Sequence, residues 1–310
     1  MTRPEPDDLF QDLTSEQALA VRTTEGPVLV LAAAGSGKTR VITRRIAYLV
    51  SCGIPAWSIL ALTFTNKAAG EMRDRVHAIL GVDSRAGRGL TVTTFHALCA
   101  RLLRRHAESD ALPRLKPDFT IYPTDDQMAL LKRLIDAQGL ATSNWPPRQI
   151  LSAISNAKND LLDARAFADT ANDFYQRTIA KLYLLYEEGL EAANAVDFDD
   201  LLLLTVQLLQ RDEEALDACR ARWTYLMIDE YQDTNRAQFE IASLLAGDGS
   251  PNIFVVGDPD QSIYGWREAD ISNILDFEHH WPEATTITLG QNFRSTEHIL
   301  GAADSLIRKN

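Results

Sequence analysis

The stretch Val28-Leu-Val-Leu-Ala-Ala-Ala-Gly-Ser-Gly-Lys-Thr-Arg40 decides how this chain is read. Val28–Leu31 is an apolar run of strand length, and Arg40-Val-Ile-Thr-Arg-Arg-Ile-Ala repeats its apolar residues at helical spacing. A strand, a glycine-rich turn and a helix opening on Lys-Thr form a phosphate cradle, because the N–H groups of the turn and of the helix N-terminus point at one place. The expectation is a nucleoside triphosphate site. The backbone of Ala33, Ala34, Gly35, Ser36 and Gly37 wraps the phosphates, Lys38 reaches the terminal ones as a point charge, and the Thr39 hydroxyl ligates Mg2+. Gly-Lys-Thr alone also occurs in ordinary loops, and Ala32 stands where the loose pattern asks for glycine. The strand before the turn and the amphipathic segment after it favour the triphosphate site.

Composition narrows the class. A chain of 310 residues holds about two ordinary domains, and 45% hydrophobic with 24% charged residues is a folded composition rather than a disordered one. Cys52, Cys99 and Cys219 lie far apart with no C-x-x-C, which points to a reducing compartment without a disulfide framework or cysteine-rich metal site. The polar, acidic start does not read as a signal peptide, and the longest apolar stretch, Leu201–Leu209, is too short to span a bilayer. A soluble, cytoplasmic protein with no membrane association is expected. The net charge of −12 argues against nucleic acid until its distribution is examined. Between Lys38 and Arg105 twelve Lys and Arg face three acids, a basic region on an acidic chain that is compatible with DNA contact. Solvated helix faces would give the same count.

In the first third, strand-like Val28–Leu31, Ile59–Thr63 and Leu90–Thr93 alternate with helix-like Lys38–Val50, Asn66–Leu80 and Thr94–Arg105, which implies a parallel sheet with crossovers. From about Pro123 to Leu209 the pattern is helical throughout, with Thr124-x-x-Gln127 as a capping-box start and no evident strand. Strands resume at Tyr225–Ile228, Ile253–Val256 and Thr285–Leu289. The fold class expected is therefore α/β, a parallel sheet interrupted by an inserted α-helical domain. The sheet domain spans residues 1–110 and 198–284, and the insertion 111–197.

Three further clusters offer chemistry. Leu226-Met-Ile-Asp229-Glu230 ends a strand in two carboxylates, Asp229 suited to Mg2+ and Glu230 to orienting and deprotonating a water. Gly257-Asp-Pro-Asp-Gln261-Ser-Ile-Tyr264-Gly-Trp266-Arg267 puts an amide, two aromatic faces and a cation just past a strand end, where ligands of open parallel sheets bind. Thr63-Phe64-Thr65-Asn66-Lys67 and Thr93-Thr94-Phe95-His96 suit a phosphate backbone and a base, or equally a helix N-cap. His279-His280 has no ligand spacing with anything, and no metal is assigned to it.

These segments, together with Gln17 in Leu-Thr-Ser-Glu-Gln, Asp-Phe198-Asp-Asp-Leu, Asp229-Glu-Tyr-Gln-Asp-Thr-Asn and Gln291-Asn-Phe293-Arg294-Ser, fall in an order that resembles the UvrD/Rep/PcrA family of superfamily 1 DNA helicases, over roughly Leu13 to Ile307. The resemblance implies a RecA-like P-loop NTPase sheet (domain 1A) with a helical insertion (1B), and an ATP-dependent 3′-to-5′ helicase of DNA repair or replication acting on single-stranded DNA and its junctions with duplex. It implies that Gln17 reads adenine, that Arg40 and Phe293 lie against the nucleotide, and that Gln261 senses the γ-phosphate. Arg294 acts as an arginine finger beside the catalytic Lys38 and Glu230. Phe64, Thr65, Asn66, His96, Phe198, Tyr264, Trp266 and Arg267 contact the strand. Ala33 replaces the family's usual Gly and needs a negative φ, and Phe293 replaces Tyr. Residues 285–310 read as the start of a second motor domain, 2A, whose later motifs have no counterpart here. The chain reads as the N-terminal part of a motor. An ATP- and DNA-binding module without motor activity, and a recombination helicase-nuclease subunit, are the other readings.

Overall fold

The apolar runs pair in a six-stranded parallel sheet in the computed structural model, which describes residues 6–81, 87–262 and 270–307. The strands are β1 (Val28–Ala32), β2 (Ile59–Thr63), β3 (Thr91–Thr94), β4 (Thr120–Ile121), β5 (Ala195–Val196), β6 (Tyr225–Ile228), β7 (Ile253–Gly257) and β8 (Thr285–Leu289). The helices are α1 (Ser15–Arg22), α2 (Lys38–Ser51), α3 (Asn66–Leu80), α4 (Phe95–Arg105), α5 (Thr124–Ala137), α6 (Pro147–Asn159), α7 (Ala164–Thr170), α8 (Phe174–Ala192), α9 (Phe198–Arg211), α10 (Glu213–Arg222), α11 (Arg236–Ala246), α12 (Ser272–Leu275), α13 (Phe277–His280) and α14 (Glu297–Ile307). The chain forms two units: Met1–Phe95 with Ala218–Thr234 and Leu245–Asn310, and His96–Asp217 with Asn235–Leu244.

In the first unit the strand order is β3-β2-β6-β7-β1-β8. Every residue of β2, β6 and β7 is buried, the pattern of central parallel strands covered on both faces. The apolar stripe of α2, Val41, Ile42, Ile46, Leu49 and Val50, joins Val28, Val30, Ala61, Met72, Val76, Met227, Phe254 and Val256 in one core. β8 departs from expectation. Read as the opening of a further domain, it instead pairs with β1 in register from Val28↔Thr285 to Ala32↔Leu289. Its alternation explains this, since Thr285, Thr286 and Thr288 are exposed while Ile287 and Leu289 are buried, as suits an edge strand.

The second unit begins earlier than expected, at His96, and runs beyond 197. α4 falls in this unit, with Leu98, Cys99, Leu102 and Leu103 all buried. The helical core gathers Leu130, Leu131 and Ile135 of α5, Ile150 and Ile154 of α6, and Leu182, Tyr183, Tyr186 and Leu190 of α8. Two expectations fail here. The unit is not free of strands, because β4 and β5 form a short parallel pair. Nor does Thr124 cap α5: Pro123 holds the extended N-cap geometry, and Gln127 Nε2 donates to the Tyr122 carbonyl at 2.8 Å.

Lys158 of α6 is fully buried against three carboxylates, Glu187 at 2.8 Å, Asp197 at 2.8 Å and Asp200 at 2.6 Å. Burial works against its charge, but these partners hold its pKa well above that of an ordinary lysine. Asp197 and Asp200 also exchange the two bonds of a capping box at the start of α9. Asp199 accepts from Ser155 Oγ at 2.7 Å and Asn159 Nδ2 at 3.1 Å. The carboxylates of the Asp-Phe-Asp-Asp segment thus point inward, and Phe198 between them is turned out, 47% exposed.

Candidate active site

All six strands of the sheet run parallel, so the loops that follow them gather at one edge. The loop after β1 bends through Gly35 (φ 74°) and Gly37 (φ 94°), left-handed conformations that glycine adopts without penalty. Space forbids side chains as well: a Cβ at Gly35 would lie 2.6 Å from Arg294 Cβ, and one at Gly37 2.7 Å from Gln17 Nε2. Ala33 is not among the positive-φ residues, so the substitution is tolerated. α2 then opens at Lys38, and buried Ser36 Oγ has no hydrogen-bond partner.

Gln17 realises the capping reading. Its Oε1 accepts from Thr14 N–H at 3.1 Å, and its own N–H donates to Thr14 Oγ1 at 3.2 Å. Its Nε2 reaches further and donates to the Ser36 carbonyl at 2.8 Å, pinning the loop from behind.

Strand β6 delivers the carboxylates. Glu230 has a left-handed backbone (φ 52°, ψ 46°), which costs a non-glycine residue about 1–2 kcal/mol. Glu230 Oε2 lies 2.8 Å from Lys38 Nζ. Asp229 is buried, and burial followed by the neighbouring Glu230 pushes its carboxyl up to about 7. Asp233 is raised to about 6 by the same two causes. A buried carboxylate denied its charge in this way fits a divalent cation, which would supply the missing positive charge. Among the described residues no cluster of three or more His, Cys, Asp or Glu could hold a metal. Mg2+ takes one or two protein ligands and fills the rest of its shell with phosphate and water.

Strand β7 lies between β1 and β6 in the sheet, so its following loop emerges between the phosphate loop and the carboxylates. That loop carries Gln261, whose backbone N–H donates to the Asp258 carbonyl at 3.0 Å and whose Nε2 donates to the Asp258 carboxylate. From the far side the Gln-Asn-Phe-Arg segment closes on the β1 loop. Asn292 Nδ2 donates to the Ala34 carbonyl, and Phe293 N–H to the Gly35 carbonyl at 2.9 Å. The result is a cleft of about 460 Å³ lined by Ala34, Gly35, Gly37, Lys38, Thr39, Arg40, Arg75, Glu230, Gln261, Phe293 and Arg294. Phe293 of this lining is 54% exposed. Arg40 donates to the Asp12 carbonyl at 3.1 Å.

Two residues escape sequence reasoning. Arg75 of α3 is one cation among twelve in the basic run, and nothing in helical spacing says that it reaches the cleft. Gln232, 1% exposed, donates to Glu230 and accepts from Asp258.

The strand-contacting candidates divide between the units. Phe64 is half-buried and Thr65 and Asn66 exposed in the first unit. Thr65 N-caps α3 by accepting from Ala68 N–H at 3.1 Å, and Thr94 Oγ1 meets Asn66 Oδ1 at 3.4 Å. In the second unit His96 and Phe198 sit edge to face with ring centroids 6.2 Å apart. Tyr264, Trp266 and Arg267 lie outside the described residues.

The profile of the UvrD/REP helicase N-terminal domain matches residues 13–282. The chain belongs to the UvrD/REP helicase family. It is 50% identical over 303 residues to the ATP-dependent DNA helicase PcrA of Leuconostoc citreum, covering 97% of this chain and 40% of that protein. With the PcrA helicases of Staphylococcus epidermidis and Staphylococcus aureus the identities are 46% and 44%, over 97% of this chain and 41% and 40% of theirs. The chain thus spans about two-fifths of the length of these curated relatives. The α/β fold with its parallel sheet is consistent with the UvrD/REP helicases, and among the described residues no helix is long and apolar enough to cross a membrane.

Proposed function

We propose that this chain is the ATP-binding, first strand-contacting part of a DNA helicase motor that couples ATP hydrolysis to 3′-to-5′ movement on single-stranded DNA and to opening of duplex at junctions. The observation that carries the reading is the cleft in which Lys38, Glu230, Gln261 and Arg294 converge from four separate loops at one sheet edge. The names of the PcrA relatives support it; the polarity, and a place in DNA repair or replication, rest on family resemblance.

In this mechanism the β1 loop and the N-terminus of α2 receive the phosphates, and Lys38 exchanges Glu230 for the terminal phosphates. Thr39 and Asp229 would hold Mg2+, which neutralises phosphate charge. Glu230, released from Lys38, orients water and takes its proton. Gln261 reads the terminal phosphate, and Arg294 answers the charge that develops there. Arg40 and Phe293 flank the base. Phe64, Thr65, Asn66, His96, Phe198, Tyr264, Trp266 and Arg267 hold the strand by phosphate contact and stacking.

The test uses the complete polypeptide that contains these residues. Turnover of ATP should rise with added oligo-dT, and Lys38→Ala should abolish it. A partial duplex with a 3′ tail should be unwound and one with a 5′ tail left intact. Turnover indifferent to DNA would refute the motor, and unwinding from the 5′ tail would refute the polarity.

A further inference from the structure

We infer that Gln232 is a positioning residue that ties the candidate base Glu230 to the loop bearing Gln261, an inference that rests on the ATPase reading above. Gln232 lies in the single 3-10 turn Tyr231–Asp233 that follows β6, and it is buried. Its Nε2 donates to Glu230 Oε2 at 2.9 Å, the same oxygen that Lys38 Nζ approaches at 2.8 Å. Its Oε1 accepts from the backbone N–H of Asp258 at 3.0 Å. Its backbone carbonyl accepts from Ser262 Oγ at 3.4 Å. Asp258 in turn holds Gln261 through both backbone and side chain. A continuous chain of bonds therefore runs from the carboxylate, through one primary amide, to the residue placed to read the terminal phosphate.

The chemistry of the two neighbours fixes the amide. A carboxylate needs a donor and a backbone N–H needs an acceptor, so the flipped orientation would set oxygen against oxygen and NH2 against N–H. Glycine at 257 makes the approach possible, since a Cβ there would lie 2.8 Å from Gln232 Oε1 and 3.2 Å from its backbone N. When nucleotide draws Lys38 away, Gln232 remains as the donor that keeps the Glu230 carboxylate aimed. When the 258–262 loop shifts, the same amide carries the shift to the base.

The two ends of the amide can be tested separately in the complete polypeptide. Gln232→Glu keeps an acceptor for Asp258 but loses the donor toward Glu230; Gln232→Met keeps the volume and loses both. With saturating oligo-dT, both variants should lower kcat by about tenfold or more while KM and the affinity for a fluorescent ATP analogue move by less than about threefold, as expected when a reacting group is misaligned. Hydrogen exchange at the Asp258 amide should accelerate in Gln232→Met and not in Gln232→Glu. A packing role would lower Tm and leave kcat alone. Turnover of either folded variant within about threefold of wild type, or a loss confined to KM, overturns the positioning role. If wild type itself shows no DNA-stimulated turnover, the ATPase reading falls and this inference with it.

Discussion

Replacing Glu230 with Gln should produce an enzyme that grips ATP slightly better and scarcely turns it over. Glu230 Oε2 is 2.8 Å from Lys38 Nζ, so nucleotide must displace a carboxylate before its phosphates meet the cation. The side chains are 11% and 36% exposed, so solvent screens the pair and its worth is about 0.5–1 kcal/mol rather than that of a buried ion pair. Freeing Lys38 should therefore tighten ATP binding by about two- to fivefold. Loss of a general base costs roughly 10²–10⁴ in turnover. Gln has the shape of Glu, so the left-handed backbone at 230 is no more strained than before, and Tm should hardly move. Titration of a fluorescent ATP analogue and steady-state turnover with saturating oligo-dT measure both numbers on the same preparation. Turnover within about tenfold of wild type would remove Glu230 from the role of base. Binding weakened severalfold would show that its carboxylate helps to hold nucleotide rather than competing for Lys38.

Three other outcomes are expected. Lys158→Met should destabilise the helical unit by about 3–5 kcal/mol in denaturant titration, because it strands buried Asp197 and Asp200 without their cation; a near-neutral result would mean that the carboxylates protonate at little cost. Burial lowers the pKa of His96, so the unfolded chain takes up its proton first and stability is lost as pH falls from about 6.5 through the folded value; His96→Gln should flatten that slope in thermal scans, and an unchanged slope would exclude His96 as its source. Trp266→Ala should weaken binding of single-stranded DNA by about 1–3 kcal/mol in fluorescence anisotropy if a base stacks on the indole, whereas unchanged affinity would make the ring a packing residue.

The phosphate loop was legible because its requirements are local: two glycines at positive φ, a preceding apolar strand and a Lys-Thr helix start all lie within a dozen residues. The strand ends were legible for the same reason. The neighbour of β8 was not, since Thr285–Leu289 shows a strand by its alternation while nothing in five residues says which strand it pairs with. Thr124-x-x-Gln127 satisfies a capping pattern that Pro123 pre-empts by its fixed φ. Gln17 shows the opposite case, a capping pattern that is formed while the remaining NH2 of the same side chain serves the phosphate loop. Arg75 and Gln232 act through tertiary proximity, which residue spacing does not encode.

The position of β7 limits how the candidate site can move. Phe254–Gly257 are paired with β1 on one side and Ile253–Val255 with β6 on the other. A strand zipped on both edges cannot slide by one residue without breaking two ladders and turning its buried side chains to the wrong faces. The strand is therefore a fixed rail. Any displacement that links the loop after β7 to the Glu230 turn would start beyond the last paired residue, Gly257, at Asp258, whose N–H donates to Gln232 Oε1.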